Sequence, residues 1–540
     1  MTLARKRHAV YGNDDTGNDY EDTPSPAKAR RVDIPATIDN SDPSGSDYDS
    51  DNDSEIISTR IEGIYLDTVN RANLDFDFEH ICSVSLSTNN VYACLVCGKY
   101  YQGRGKQTHA YLHSINDDHH VFVNLQTLKI YVLPDNYEVE ERSLNDIKAT
   151  IRPTFTSAQV ERLDLACEHA QDLSGKPYLA GFVGLNRVKR NDYMNVVFQA
   201  LAHVPPIRDT LLLLSDMDKQ TPLVQRLCGL VRKIWHPKLF KAHASPHELV
   251  QEVGVRSKRR FRFDIPGDAF DFLTWLLNTL HIDLGGTRKR NSSVVYRTFQ
   301  GELQITAQPL VDTKSRPNEN DPIEIDSHND SVKVSKTPFL TLSLDLPPKP
   351  LFTDDGGDDD DNDDRSTIPQ VALVTLLQRY NGSTVAEWKG EARSYKLLTL
   401  PRYIICHIRR FSKSGLSIEK NPTVVNYPIR NVPFGDLLPK DTTVLPKDSS
   451  ATYDLISNIC HDGRPEQLPQ NPNHHNDGLA QSAVYAADDS SSADGRYLVY
   501  THNLADDKWY MMRDLQVEPI MPQMIFLSDS YIQIWRRNGC

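Results

Sequence analysis

An α+β architecture with a small metal-binding module in front is predicted by three features of the sequence. Helical apolar spacing concentrates between residues 184 and 283, strand-like patterns concentrate after residue 337, and a Cys/His block precedes both. Helices and strands that segregate along a chain, rather than alternate, build α+β folds. The 540 residues are enough for two or three domains. The formal charge is −13, with much of the acid in two low-complexity runs, so the folded parts are closer to neutral. No apolar run reaches the ~18 residues of a membrane span. The opening MTLARKRHAV has no signal-peptide core, so no membrane partner is expected. Of the eight cysteines (Cys82, Cys94, Cys97, Cys167, Cys228, Cys406, Cys460 and Cys540), five lie far apart with no framework spacing, which fits a reducing compartment.

Residues 1–60 are rich in Ser, Asp, Asn and Pro and poor in large apolar residues. Such a stretch cannot offset the entropy of ordering, so a disordered tail is predicted. Arg5-Lys6-Arg7 and Lys28-Ala29-Arg30-Arg31 read equally well as a nuclear import signal or as a solvated charge run. The acidic-serine tract from Ser44 to Glu55 reads as a phosphorylation or interaction segment.

Residues 61–165 form the first module. Cys94-x-x-Cys97 closes a strand-like run and is followed by His109, His113 and His119 or His120, with Cys82 upstream. In a chain without disulfides this spacing points to zinc, because thiolate and imidazole suit a tetrahedral Zn²⁺. His109 and His113 fall on one helix face. One zinc is expected, with Cys94 and Cys97 among its ligands and the others left open.

Residues 175–540 form the second domain. Tyr193, Val196, Val197, Ala200, Leu201 and Val204 recur at helical spacing behind Asn191 and Asp192, both good N-caps; Asp192 reads as a capping carboxylate. Ser245-Pro246-His247-Glu248 signals another helix start. The RSKRRFRF run from Arg256 to Phe263 interleaves bases with aromatics. It reads as an edge strand with a charged face, or as an RNA contact to phosphates and bases. GDAFDFLTWLLNTLH is a helix capped by Asp268. KTPFLTLSLDLPP alternates at Leu340, Leu342, Leu344 and Leu346, as a half-buried strand does, and PRYIICHIRRF is the apolar run of a central strand. Polar insertions without packing capacity are expected near 312–332, 353–367 and 464–494.

Several of these stretches resemble ubiquitin-specific proteases. Gly184, Leu185, Tyr193, Met194, Asn195 and Gln199 match that family's cysteine box; GDAFDFLTWLLNTLH matches a family helix, with Gly267 and Asp271 in place of its glutamine and glutamate. PRYIICHIRRF resembles a family strand in which His407 is structural, and YDLISNICHDG followed by GRYLVYTHNLADDKWYMMRDL resembles its histidine hairpin. The resemblance implies a papain-like domain with helical thumb and largely antiparallel palm and fingers. It places Asp192 at the nucleophile position, Arg496 at the general base, Arg513 at the orienting acid and Arg187 at the oxyanion-supporting asparagine. Proteolysis needs a thiolate and an imidazole held in place, whereas arginine keeps its proton at neutral pH. A rebuilt site is not expected: Cys460 and His461 are strand neighbours facing opposite ways, and His502 is expected in a turn.

The first module resembles the zinc-finger ubiquitin-binding domain found beside such proteases. The resemblance implies one site from Cys82, Ser85, Cys97 and His109 and a second from Cys94, Gln102, His113 and His119, each one cysteine short. Arg104 matches the arginine that holds the ubiquitin C-terminal carboxylate, while Tyr92-Ala93 replaces a family tryptophan. The fingers carry no further CxxC pairs. The whole combination, with EKNPTVVNYPI and LPDNYEV, resembles the inactive protease-like splicing factors of the U4/U6.U5 tri-snRNP. That implies a non-catalytic nuclear pre-mRNA splicing factor contacting tri-snRNP proteins, with snRNA contact through Arg256 to Phe263. A ubiquitin-binding adapter and an active deubiquitinase are the alternatives.

Overall fold

The computed structural model describes residues 65–77, 79–309, 332–348, 369–388, 390–414, 417–438, 451–463 and 496–539. The N-terminal tail with its basic clusters, and the three insertions apart from Val332, lie outside these residues. No helix among the described residues is long and apolar enough to cross a membrane.

The first module is a five-stranded antiparallel sheet in the spatial order Tyr100–Gln102, Val91–Cys94, Val121–Asn124, Ile130–Val132, Tyr137–Val139. Successive strand residues face opposite sides. Val91, Ala93, Val121 and Val123 therefore pack with Leu74, Phe76 and Leu95 on one face. Tyr92, Cys94, Phe122 and Tyr131 pack on the other, together with Ala110 of the helix His109–Asn116. Two ion pairs fasten this module to the helical region, Lys233 to Asp77 at 2.7 Å and Lys241 to Asp75 at 2.5 Å, and Phe240 packs against its core.

The helical region holds Asp192–Ala202, Pro205–Leu213, Pro222–Trp235, His247–Arg256, Ala269–Asp283 and Val294–Phe299. Asp268 accepts bonds from Phe270 N and Asp271 N, both at 2.8 Å, and so caps its helix as its position predicts. The helix Asp192–Ala202 departs from the one-stripe expectation, since all eleven of its residues are buried. Helices and sheet enclose it on every side, and its polar face is satisfied internally: Gln199 Nε2 donates to Val183 O at 2.8 Å, and Asn195 Nδ2 to Asn186 O at 3.2 Å. Gly267 is dictated by contact, because a Cβ there would lie 2.4 Å from the buried Tyr193 ring.

The main sheet has seven strands in the order Thr341–Asp345, Tyr403–Arg409, Ser530–Arg537, Tyr453–Asp462, Arg496–Asn503, Lys508–Arg513, Gln516–Ile520. Only the first pair is parallel. One face meets the helices through Ile405, Val499, Met512, Tyr531 and Ile534. The other buries Ile404, Cys406, Cys460, Leu498, Trp509 and Trp535. A second, antiparallel sheet runs Lys333–Phe339, Gly301–Pro309, Glu391–Thr399, Asn381–Trp388. The stretch read as one strand across residues 336–348 is in fact two. Its first part lies in the second sheet, its last in the main sheet, and Leu340 alone stands between them. Leu342 and Leu344 are fully buried, as their alternation predicts.

Candidate functional site

A cleft of about 510 Å³ opens between the helices and the main sheet, and Asp192, Asp268, Phe270, His407, His461 and Tyr497 are among the residues lining it. Asn191, not Asp192, occupies the N-cap position, and its side chain faces elsewhere: Oδ1 accepts from Val188 N at 2.7 Å and Nδ2 donates to Asn195 Oδ1 at 3.1 Å. Asp192 is the first helical residue. Its Oδ2 accepts from Tyr497 N of the adjacent strand at 3.1 Å, so the carboxylate fastens helix to sheet instead of simply capping the turn. Burial raises its pKa above the ordinary range, and the charge of Asp514 pushes the same way, against the Tyr497 N–H and Arg187.

Asp514 is the hub of this corner. It accepts from Asn195 Nδ2 at 3.0 Å, and Arg187 Nε stands 4.0 Å from its other oxygen. Burial raises its pKa, against the Asn195 bond and the charges of Arg187, Arg496 and Arg513. Arg513 also bonds Asp462 at 2.8 Å. The structure thus brings Asp192, Arg187, Arg496 and Arg513 into one neighbourhood. The sequence motifs contain all four, with Asp514 directly after Arg513 and Asn195 in the cysteine box, but do not show that Asp514 gathers Asn195 and Arg187.

Among the described residues no cysteine lines this cleft. Cys460 is buried in the core on the other side of the sheet, where burial drives its thiol pKa up, while its neighbour His461 faces the cleft. Strand alternation separates the two, as expected. His461 packs edge-on against Phe411 and Tyr497, and burial lowers its pKa to about 4. His407 stacks on Phe270 at 3.5 Å, and burial lowers it to about 3. Both imidazoles are therefore neutral at pH 7. His502 lies within the strand Arg496–Asn503, not in a turn. Its Nε2 is 2.8 Å from Asp507 and its ring stacks on Trp509, because the hairpin turn comes later than the spacing suggests.

In the first module the ligand atoms of Cys94, Cys97, His113 and His119 all lie within 4.8 Å of one another. Cys94 ends its strand, and the knuckle turns through Gly98, whose N–H donates to Cys94 O at 2.9 Å. A Cβ on Gly98 would stand 2.1 Å from Asn73 O. His113 comes from the helix, with its Nδ1 2.5 Å from Asp117 and its Nε2 3.4 Å from Cys97 Sγ and 3.0 Å from His119 Nδ1. A hydrogen bond from Cys94, then the Lys99 N–H and the imidazoles of His119 and His113, hold the Cys97 thiol below its usual range against the opposing effect of burial. Two sulfurs and two imidazoles fit tetrahedral Zn²⁺, with Asp117 orienting one ligand from behind.

Cys82 and His109 stand outside that group. Cys82 Sγ accepts from Ser85 N at 3.4 Å and Gln102 N at 3.2 Å, and Ser85 Oγ donates to Gln102 Oε1 at 2.8 Å, so these positions bond to one another. His109 opens the helix one turn before His113. His120 bonds Leu133 O and Asp118. Arg104 donates to Asn136 Oδ1 at 2.7 Å and lies over the Tyr131 ring.

The run of residues 256–263 is a helix end followed by turns, not an edge strand. Arg256 pairs with Asp283, Arg260 with Asp271 and Arg262 with Asp264. Phe261 is buried in the core against Phe272 and Trp275 and cannot stack on a base.

Residues 183–535 match the family described as ubiquitin carboxyl-terminal hydrolase, and residues 82–144 match the zinc finger of ubiquitin hydrolases and other proteins. The chain is 43% identical over 491 residues to human ubiquitin carboxyl-terminal hydrolase 39, covering 88% of this chain and 80% of the relative. It is 40% identical over 481 residues to the probable mRNA-splicing protein ubp10 of Schizosaccharomyces pombe, covering 88% and 89%. A crystal structure of an essential yeast splicing factor superposes with a TM-score of 0.65 at 28% identity, covering 88% of this chain and all of that one.

Proposed function

The chain belongs to the ubiquitin carboxyl-terminal hydrolase family, and from that premise we propose that it is a non-catalytic pre-mRNA splicing factor, using the hydrolase fold as a scaffold. The observation that carries this reading is its 40% identity, over 88% of its length, to a relative named as an mRNA-splicing protein. The cleft supports the non-catalytic part. Asp192 stands where the family resemblance puts the nucleophile, and Arg496 and Arg513 where it puts base and orienting acid. A buried carboxylate is a poor acyl-transfer nucleophile, and a guanidinium does not give up its proton to act as a base. The acids and arginines at this corner hold helix to sheet.

Zinc is held in the first module by Cys94, Cys97, His113 and His119, where it ties strand, knuckle and helix together as a structural ion. The partners are proteins of the U4/U6.U5 tri-snRNP, and the place of action is the nucleus. The test is affinity purification of the full chain from nuclear extract, followed by mass spectrometry and RNA sequencing. U4, U6 and U5 RNAs with tri-snRNP proteins are expected, and splicing falls when the protein is depleted. Enrichment of ubiquitin conjugates without those RNAs, or turnover of a fluorogenic ubiquitin substrate by pure protein, overturns the reading.

A further inference from the structure

We propose that the two loops that leave the Arg256–Asp283 ion pair carry a docking surface for RNA phosphates, built from Lys258, Arg259, Arg288, Lys289 and Arg290; the inference rests on the splicing reading above. Arg256 and Asp283, the last residues of two neighbouring helices, are joined at 2.6 Å. Both loops leave from this ion pair, Lys258 two residues beyond one partner and Arg288 five beyond the other, although 27 positions separate the paired residues in sequence.

All five side chains are exposed, and none has a carboxylate partner among the described residues. Their neighbours Arg256 and Arg260 already occupy the nearby acids Asp283 and Asp271. Both loops are built rather than slack. Arg259 N donates to Gly254 O at 2.7 Å and Phe261 N to Ser257 Oγ at 3.1 Å, with Phe261 anchored in the core. The second loop is closed by Ser292 Oγ, which accepts from Thr287 N at 3.0 Å and donates to Thr287 O at 2.8 Å.

Lys258 and Arg259, at φ 54° and 63°, are the only consecutive non-glycine pair in the left-handed region among the described residues. Glycine or asparagine takes that conformation more easily. Strain of this kind points to a use for the side chains it displays. Five exposed cations without a carboxylate partner among the described residues suit a phosphate backbone read without regard to sequence.

The test is anisotropy of a labelled 20-nucleotide single-stranded RNA with the full chain across a salt series. Replacing all five cations by glutamine should flatten the slope of log K against log salt by about 3.5, at about 0.7 per cation. Arg262→Gln, whose guanidinium Asp264 already holds, should leave the slope unchanged. Lys258→Gly with Arg259→Gly should raise the melting temperature while weakening RNA binding, which a merely structural turn would not do. An unchanged slope in the five-fold variant overturns the proposal. So does loss of polyglutamate binding with RNA binding intact, which would make the surface a site for acidic protein. Extract that splices normally without the protein refutes the splicing reading instead, and leaves the RNA measurement standing.

Discussion

The backbone N–H of Tyr497 donates to the Asp192 carboxylate at 3.1 Å, joining the first turn of the central helix to the strand that begins with Arg496. Because burial raises the Asp192 pKa, its ionised form costs stability above the unfolded-state carboxylate range, and that cost vanishes once the group is protonated in both states. Asp192→Asn keeps an acceptor for Tyr497 and removes the charge. It is expected to melt at or above the parent temperature at pH 7, with the difference closing as pH falls toward 4. Calorimetry across that range decides it.

Installing a thiol alone should not create a protease. Asp192→Cys leaves Arg496 and Arg513 where the family resemblance puts the base and the orienting acid, and His461 and His407, which line the cleft, are packed against aromatic rings. No turnover of a fluorogenic ubiquitin substrate above buffer is expected for this variant.

Buried neutral histidines make the fold acid-sensitive. Burial lowers His203 and His461 to about 4. A depressed histidine contributes stability that is complete above the unfolded value near 6.5 and is lost as pH falls from there toward the folded value. Each is worth on the order of 3 kcal/mol by pH 4. Unfolding should take up protons between pH 6.5 and 4, measurable as a falling denaturation midpoint, and His203→Phe should flatten the fall.

Metal analysis of the full chain should return one zinc. Cys97→Ser should abolish binding and unfold the first module, while Asp117→Asn, which only loosens the orientation of His113, should weaken zinc by roughly 10–100-fold. Competition with a graded series of chelators separates the two outcomes.

Arg208 is 1% exposed, forks onto Asp164 at 2.6 and 2.9 Å, bonds Asp209 at 2.7 Å and lies over Trp235. Breaking a fully buried pair by removing one partner costs about 3–5 kcal/mol, because the other charge is left buried. Asp164 and Asp209 are 34% and 37% exposed, so Arg208→Ala should lose less than that in chemical denaturation, chiefly through lost packing and hydrogen bonds. Arg208→Met, which refills the volume while half-exposed Asp164 turns to water, should lose less still.

Local signals carried much of this architecture. The capping carboxylate of Asp268, the alternation of Leu342 and Leu344, and the CxxC knuckle are short-range patterns, and each lies where its spacing puts it. What escaped depends on residues far apart in sequence. That every side of the helix Asp192–Ala202 is covered follows from the sheet closing over it, which no window of eleven residues contains. Asp514 gathers Asn195 and Arg187 from more than 300 positions away. The break at Leu340 is invisible to periodicity, because both flanking pieces are strands and differ only in the sheet they join. Choosing His119 over His109 for the metal cluster needs the path of the chain after the helix, beyond what a shared helix face can tell.

That single residue between sheets has a mechanical consequence. With Phe339 hydrogen-bonded into one sheet and Thr341 into the other, the chain has no slack at the crossing. Two positions on, Ser343 runs alongside His407 in the floor of the cleft. A partner that grips the smaller sheet therefore holds a lever whose short arm ends beneath the groove, and pulling there would reshape the groove before it stretched any linker.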